Sequence, residues 1–128
     1  MEPYKKIANL LWETSSSNHA STAKLDIMPK NVNKLLVANR GEIALRVVRT
    51  AREMGIPTVA VYAEQDRHAQ YVQMADDAYL LSGDTYKDTY LNEDLLIDIL
   101  QRSGADAVHP GYGFLSEVAS FAQKVLDA

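Results

Sequence analysis

Two short apolar runs constrain this chain more than any other feature: Leu35-Leu36-Val37-Ala38, and Val59-Ala60-Val61-Tyr62 entered through Pro57-Thr58. A strand with one wet face alternates apolar and polar residues, whereas one covered on both faces reads as a continuous run. Between the runs the period changes. Ile43, Ala44, Val47, Val48, Ala51 and Met54 gather on one face at 3.6 residues per turn, and Glu42, Arg46, Arg49, Arg52 and Glu53 fall opposite. Gly55 then stops the helix. Leu45 falls inside the charged face, which hints that this face meets a partner.

The same alternation continues to the end. Ala78-Tyr79-Leu80-Leu81 is a third strand, reached through a short helix, and Asn92 caps a second clear helix whose first turn carries Glu93 and Asp94. Leu91, Leu95, Leu96, Ile99 and Leu100 form its buried stripe, and Gly104 follows its last turn. Ala105-Asp106-Ala107-Val108 is a fourth strand, and Ala119, Ala122, Val125 and Leu126 line a last helix. Strands alternating with helices predict an α/β fold with a Rossmann-like doubly wound parallel sheet.

In such a sheet, ligands sit outside the carboxyl ends of the strands. Two loops share that edge: Asn39-Arg40-Gly41-Glu42, and the segment His109-Pro110-Gly111-Tyr112-Gly113-Phe114-Leu115-Ser116-Glu117. Gly111 and Gly113 let backbone approach a ligand where a side chain would collide, and Ser116 is placed to cap the helix that follows. A helix start there would offer unpaired N–H groups to a polar or anionic ligand. The alternative is a tight turn whose glycines serve geometry alone. The first loop has one glycine where a dinucleotide site has three, and Glu64, though placed like a ribose-binding acid, is a lone acid at a strand end. Arg40 and Glu42 are solvated or paired on this reading. His109 is a structural residue ahead of Pro110.

Composition narrows the function classes. A net charge of -4 with scattered arginines and lysines lacks the basic stripe of a nucleic-acid binder. No run spans a membrane. The absence of cysteine removes disulfides, thiolate nucleophiles and cysteine metal sites, and His19, His68 and His109 are dispersed. A reducing compartment is compatible with this. Residues 1–32 differ in kind: Ile7, Leu10, Leu11 and Trp12 allow one or two amphipathic turns, and Thr14-Ser15-Ser16-Ser17-Asn18 breaks them. They read as a flexible extension ahead of a domain at 33–128.

Val37-Ala38-Asn39-Arg40-Gly41-Glu42-Ile43-Ala44-Leu45-Arg46 and the segment from His109 to Glu117 resemble the start of biotin carboxylase, as found in acetyl-CoA, propionyl-CoA and pyruvate carboxylases. Val61-Tyr62, Ala75-Asp76-Asp77-Ala78 and Tyr90-Leu91-Asn92 match in the expected order. Val118 departs from the family, which usually has a polar residue after the glutamate. The resemblance implies an ATP- and bicarbonate-dependent ligase that carboxylates biotin on a carrier protein, the first half-reaction of an acyl-CoA (acetyl- or propionyl-CoA) carboxylase of cytoplasmic fatty acid biosynthesis. Carboxyphosphate is the activated intermediate there, and Mg2+ neutralises the phosphates.

In that family the phosphate clamp, the metal-binding acids and the catalytic base lie in ATP-grasp regions beyond the length of this chain. The sheet is then expected to lack a member at its C-terminal edge. No catalytic or metal-binding residue is expected within these 128 residues, and the chain alone is expected to be inactive. The roles carried over are biotin or substrate binding by Gly111, Tyr112, Gly113, Phe114 and Glu117, and homodimer contact through Arg46, Arg49 and Glu53. The implied partners are the biotin carboxyl carrier and carboxyltransferase components. The other readings are a stand-alone nucleotide-binding Rossmann module and a non-enzymatic subunit-pairing fragment.

Overall fold

The computed structural model of the protein describes residues 31–128; the helix suggested around Trp12 lies outside them. Strands β1 (Leu35–Val37), β2 (Thr58–Ala63), β3 (Asp77–Leu81) and β4 (Ala107–His109) form one parallel sheet in the order β3-β2-β1-β4. Leu36 stands opposite Val59 on one side and Val108 on the other. Helices α1 (Gly41–Glu53), α2 (Gln70–Met74), α3 (Glu93–Ser103) and α4 (Ala119–Asp127) complete the Rossmann-like α/β arrangement, with a 3-10 turn at Glu64–Asp66.

The continuous apolar runs are explained by two cores, one on each face of the sheet. Side chains alternate across a strand. Leu36, Val59, Val61 and Val108 therefore join Leu96, Ile99, Leu100 and Phe121, while Leu35, Val37, Ala60 and Ala107 join Ala44, Leu45, Val48 and Tyr71. The helix ends behave as their residues require. Asn92 accepts a bond from the Leu95 N–H at 3.1 Å, and Gly104 closes α3 at φ 74, a left-handed conformation costly for a residue with a Cβ.

Four expectations change. Leu45 is buried, at 7% exposure, in the core beneath α1, so it does not mark a partner surface. The wheel misplaces it because α2 packs against α1 and covers that flank. Ser116 does not cap α4. Its N–H bonds the Gly113 carbonyl at 3.0 Å while the chain is still turning, and α4 begins after Val118, which makes no side-chain cap. The fourth strand runs 107–109, and Asp106 just ahead of it ties the strand's entry to Asn33 and Lys34, its carboxylate accepting from both backbone N–H groups. Met54, Leu91, Ala119 and Leu126 are exposed, since they lie at or beyond helix ends, where the helix has run past the sheet or not yet met it.

Candidate functional site

The strand order places β2 and β4 on either side of β1, so the chain leaves β1 and β4 in different directions and opens a crevice at their carboxyl ends. The two loops singled out by the sequence meet there. Asn39, fully buried, binds them together: its Nδ2 donates to the carbonyls of Pro110 and Tyr112, both at 2.8 Å, and its Oδ1 accepts from the Arg40 N–H. The Ala38 N–H adds a bond to the His109 carbonyl at 2.9 Å. His109 is itself committed. Its Nδ1 accepts from the Gly111 N–H at 3.0 Å, and burial holds the imidazole below its ordinary range, in the neutral form that this bond requires.

The two glycines have different reasons. Gly111 has φ 65, and a Cβ there would lie 2.6 Å from Ile43 Cγ2 and 2.8 Å from Asn39 Nδ2, so packing against the first loop excludes any side chain. Gly113 has φ 72 but a Cβ would meet nothing within 4 Å. Its open side faces away from the protein. Tyr112 between them is 66% exposed. The N–H groups of Tyr112, Gly113 and Phe114 have no acceptor among the described residues. Successive unpaired amides, with Gly113 and Phe114 at positive φ, present donors suited to an acceptor oxygen. Below it, a groove of about 320 Å3 runs between α1 and β4, lined in part by Ile43, Val47, Thr50 and His109.

Of the remaining residues expected at the site, Phe114 turns inward. Its ring packs on Tyr86 and Tyr90, with both centroid distances 5.3 Å. It holds the only positive φ outside glycine among the described residues, at 43. Glu117 is exposed and follows the turn. Arg46, Arg49 and Glu53 lie together on the exposed side of α1, where Arg46 also borders the groove that Gly111 and Tyr112 line, and neither Glu42 with Arg46 nor Arg49 with Glu53 closes into an ion pair. Of the first loop's charged side chains, Glu42 is exposed and Arg40 is paired.

A polar network behind Phe114 escaped the sequence reading. Arg40 grips Asp66 through Nε to Oδ2 at 2.6 Å and Nη2 to Oδ1 at 2.7 Å, and Tyr90 Oη donates to the same Oδ2 at 2.6 Å. Tyr90 Oη also accepts from the Ala63 N–H and lies 3.0 Å from Tyr71 Oη. The Arg40 guanidinium holds the Asp66 carboxyl below the usual range against the opposing effect of burial, and the Tyr90 bond adds to it. Burial, with the bond to Asp66 second, pushes the Tyr90 hydroxyl up to about 12. Nε and Nη2 of Arg40 are thus committed to Asp66. Glu64, the ribose-acid candidate, pairs instead with Arg67 at 2.8 Å. Among the described residues no three acidic or imidazole side chains converge to hold a metal.

Comparison with known proteins agrees with the parallel α/β fold. The profile of the family described as biotin carboxylase, N-terminal domain, matches residues 31–128. The biotin-dependent acyl-coenzyme A carboxylase alpha3 subunit of Mycobacterium leprae is 55% identical over 97 residues, which cover 76% of this chain and 16% of that protein. Biotin carboxylase 1 of Bacillus subtilis is 53% identical over 92 residues, covering 72% of this chain and 20% of that one. The biotin carboxylase domain dimer of Hydrogenobacter thermophilus 2-oxoglutarate carboxylase, solved with MgADP, ADP and bicarbonate, superposes with a TM-score of 0.73 at 48% identity, over 77% of this chain and 21% of that one. This chain therefore spans about a fifth or less of the lengths of these relatives.

Proposed function

The chain belongs to the biotin carboxylase N-terminal domain family, and from that premise we propose that residues 33–128 form one wall of a complete biotin carboxylase. The site is the one at which biotin, carried on a partner protein, is carboxylated with ATP and bicarbonate. One observation carries the reading: at the sheet's switch point, three backbone amides without partners stand on a loop whose outer glycine has empty space in front of it. The ureido group of biotin is planar and bears a carbonyl oxygen. Gly113 lets such a plane come within van der Waals distance of the backbone, and the amides offer hydrogen bonds to an acceptor. Tyr112 shields one side, and Glu117 stands at the rim.

The chain's part in the reaction is to bind and orient. Holding the ureido nitrogen in register with the activated carboxyl group supplies part of the rate by positioning, and a wall that excludes water protects a hydrolysable intermediate. We assign the phosphate clamp and the magnesium contacts to parts of the enzyme outside this chain. The acyl-coenzyme A carboxylase relative supports an acyl-CoA as final acceptor; we propose acetyl- or propionyl-CoA in cytoplasmic fatty acid synthesis, with carrier and carboxyltransferase components as partners. We place a homodimer contact on α1, where Arg46, Arg49 and Glu53 are exposed and not paired within the helix. A closed two-fold contact sets the same patch against itself, so an arginine of one copy can meet a glutamate of the other.

The test is Gly113→Val in the complete enzyme. A valine Cβ and its methyls would occupy the space the ureido ring needs, so the KM for biotin should rise at least tenfold while the KM for ATP stays within twofold. A biotin KM unchanged in a folded variant would reduce the loop to a turn.

A further inference from the structure

The residue behind the loop has more to do than fill the core. Phe114 has a bulky side chain in the left-handed region, a conformation such residues avoid unless the surroundings impose it. The surroundings here are two rings: Tyr86 meets Phe114 edge-on, with planes at 86°, and Tyr90 meets it tilted, at 40°. Tyr90 cannot swing away. Its hydroxyl is held by Asp66, by the Ala63 N–H and by Tyr71. Asp66 in turn is fixed by the bidentate Arg40, which departs from the end of β1 and extends over the Tyr86 ring at 6.0 Å from its centroid. The chain of contacts therefore starts at the first loop, passes through the turn after β2 and ends on the backbone next to Gly113.

We propose that Asp66, Tyr90 and Tyr86 are positioning residues for the biotin-binding loop: they lock the Phe114 ring, and through it hold the 112–114 amides in their donor array. The proposal rests on the functional reading above. It also gives a role to the ion pair that Arg40 makes with the buried Asp66 carboxylate. Removing one partner of such a pair leaves a charge uncompensated, so the assembly is held in one arrangement rather than several.

Two measurements test it. In the 128-residue chain, hydrogen exchange of the loop's bonded amides, Ser116 N–H to the Gly113 carbonyl and Val118 N–H to the Leu115 carbonyl, which close the turn that Phe114 opens, should accelerate at least tenfold in Tyr90→Phe and in Asp66→Asn, with exchange in β1 and α1 within twofold of the parent. In the complete enzyme the same substitutions should raise the KM for biotin about threefold to tenfold and leave the KM for ATP within twofold. Should either variant fail to fold, Tyr86→Ala carries the test, because Tyr86 is 45% exposed and its removal spares the buried bonds; the same loop-confined exchange and the same KM split are expected. Unchanged loop exchange overturns the proposal, as does faster exchange with an unchanged biotin KM. If Gly113→Val also leaves the biotin KM unchanged, the fault lies with the site assignment. If Gly113→Val raises it and the three network variants do not, the lock alone is refuted.

Discussion

Gly111 and Gly113 are separated by one residue and share a backbone sign, yet alanine should affect them very differently. At Gly113 the cost is conformational only, about 1 kcal/mol for a Cβ in the left-handed region, because no atom lies within 4 Å of it. At Gly111 the same strain is joined by collision. Ile43 Cγ2, at 2.6 Å from the new Cβ, belongs to a β-branched side chain with a stiff χ1 in a helix, and Asn39 Nδ2, at 2.8 Å, is fixed by its bonds to Pro110 and Tyr112. Overpacking of this kind costs about 1–3 kcal/mol. Displacing Asn39 forfeits two buried hydrogen bonds at about 1 kcal/mol each. The expected total for Gly111→Ala is therefore about 4–6 kcal/mol, against about 1 for Gly113→Ala. Urea unfolding of the 128-residue chain followed by far-ultraviolet circular dichroism measures both. If the two variants fall within about 0.5 kcal/mol of each other, the division of roles between the glycines is wrong.

Three further outcomes follow from the same structure. Below the ordinary histidine pKa of 6.5 the unfolded chain takes up a proton that buried His109 resists, so stability should be full above that pH and decline below it, by at most about 1.4 kcal/mol per pH unit; urea midpoints from pH 7.5 to 5 check this, and His109→Asn, whose Oδ1 can replace Nδ1 as acceptor, should flatten the slope. Leu45→Ala should cost about 2–4 kcal/mol as a core truncation, whereas a loss under about 0.5 would return Leu45 to the surface. In the complete enzyme, Arg49→Glu and Glu53→Arg should each weaken the dimer in sedimentation by about 1–3 kcal/mol, with partial recovery in the double swap, and a dimer indifferent to all three would free this face of α1.

What was legible in the sequence is what neighbours in the chain decide. The runs around Leu36 and Val59 announced strands covered on both faces, and Asn92 and Gly104 marked the ends of α3, because periodicity and caps act within a few residues. Both carboxyl-edge loops were placed by topology. Leu45 was misread because a helical wheel knows one helix at a time, and the cover on that flank comes from α2, a turn and a strand later. Ser116 has the right chemistry for a cap and the wrong place, since the left-handed Phe114 keeps the chain turning until Val118. Asp66 lay hidden in the polar run Glu64-Gln65-Asp66-Arg67, where burial of one acid among four polar residues has no periodic signal. Its partners Arg40 and Tyr90 are 26 and 24 positions away.

That distance also bears on how the site is held. β1 and β4 are three residues each, so the parallel ladder between them supplies few bonds at the edge where a ligand would bind. Side chains complete the attachment: Asn39 reaches residues 71 and 73 positions ahead, and Arg40 reaches Asp66 with charge-assisted bonds, which are roughly twice as strong as neutral ones. A loop fastened by its own strand would move with it. Here the loop after β4 is fastened to the loop after β1 by Asn39 and, through Phe114 and Tyr90, to the turn after β2, so three strand ends fix one short backbone segment from different directions. Such cross-bracing stiffens the 112–114 amides while leaving their outer face free of protein atoms. A rigid donor array bears its ordering cost during folding, and binding of the ligand then need not supply it.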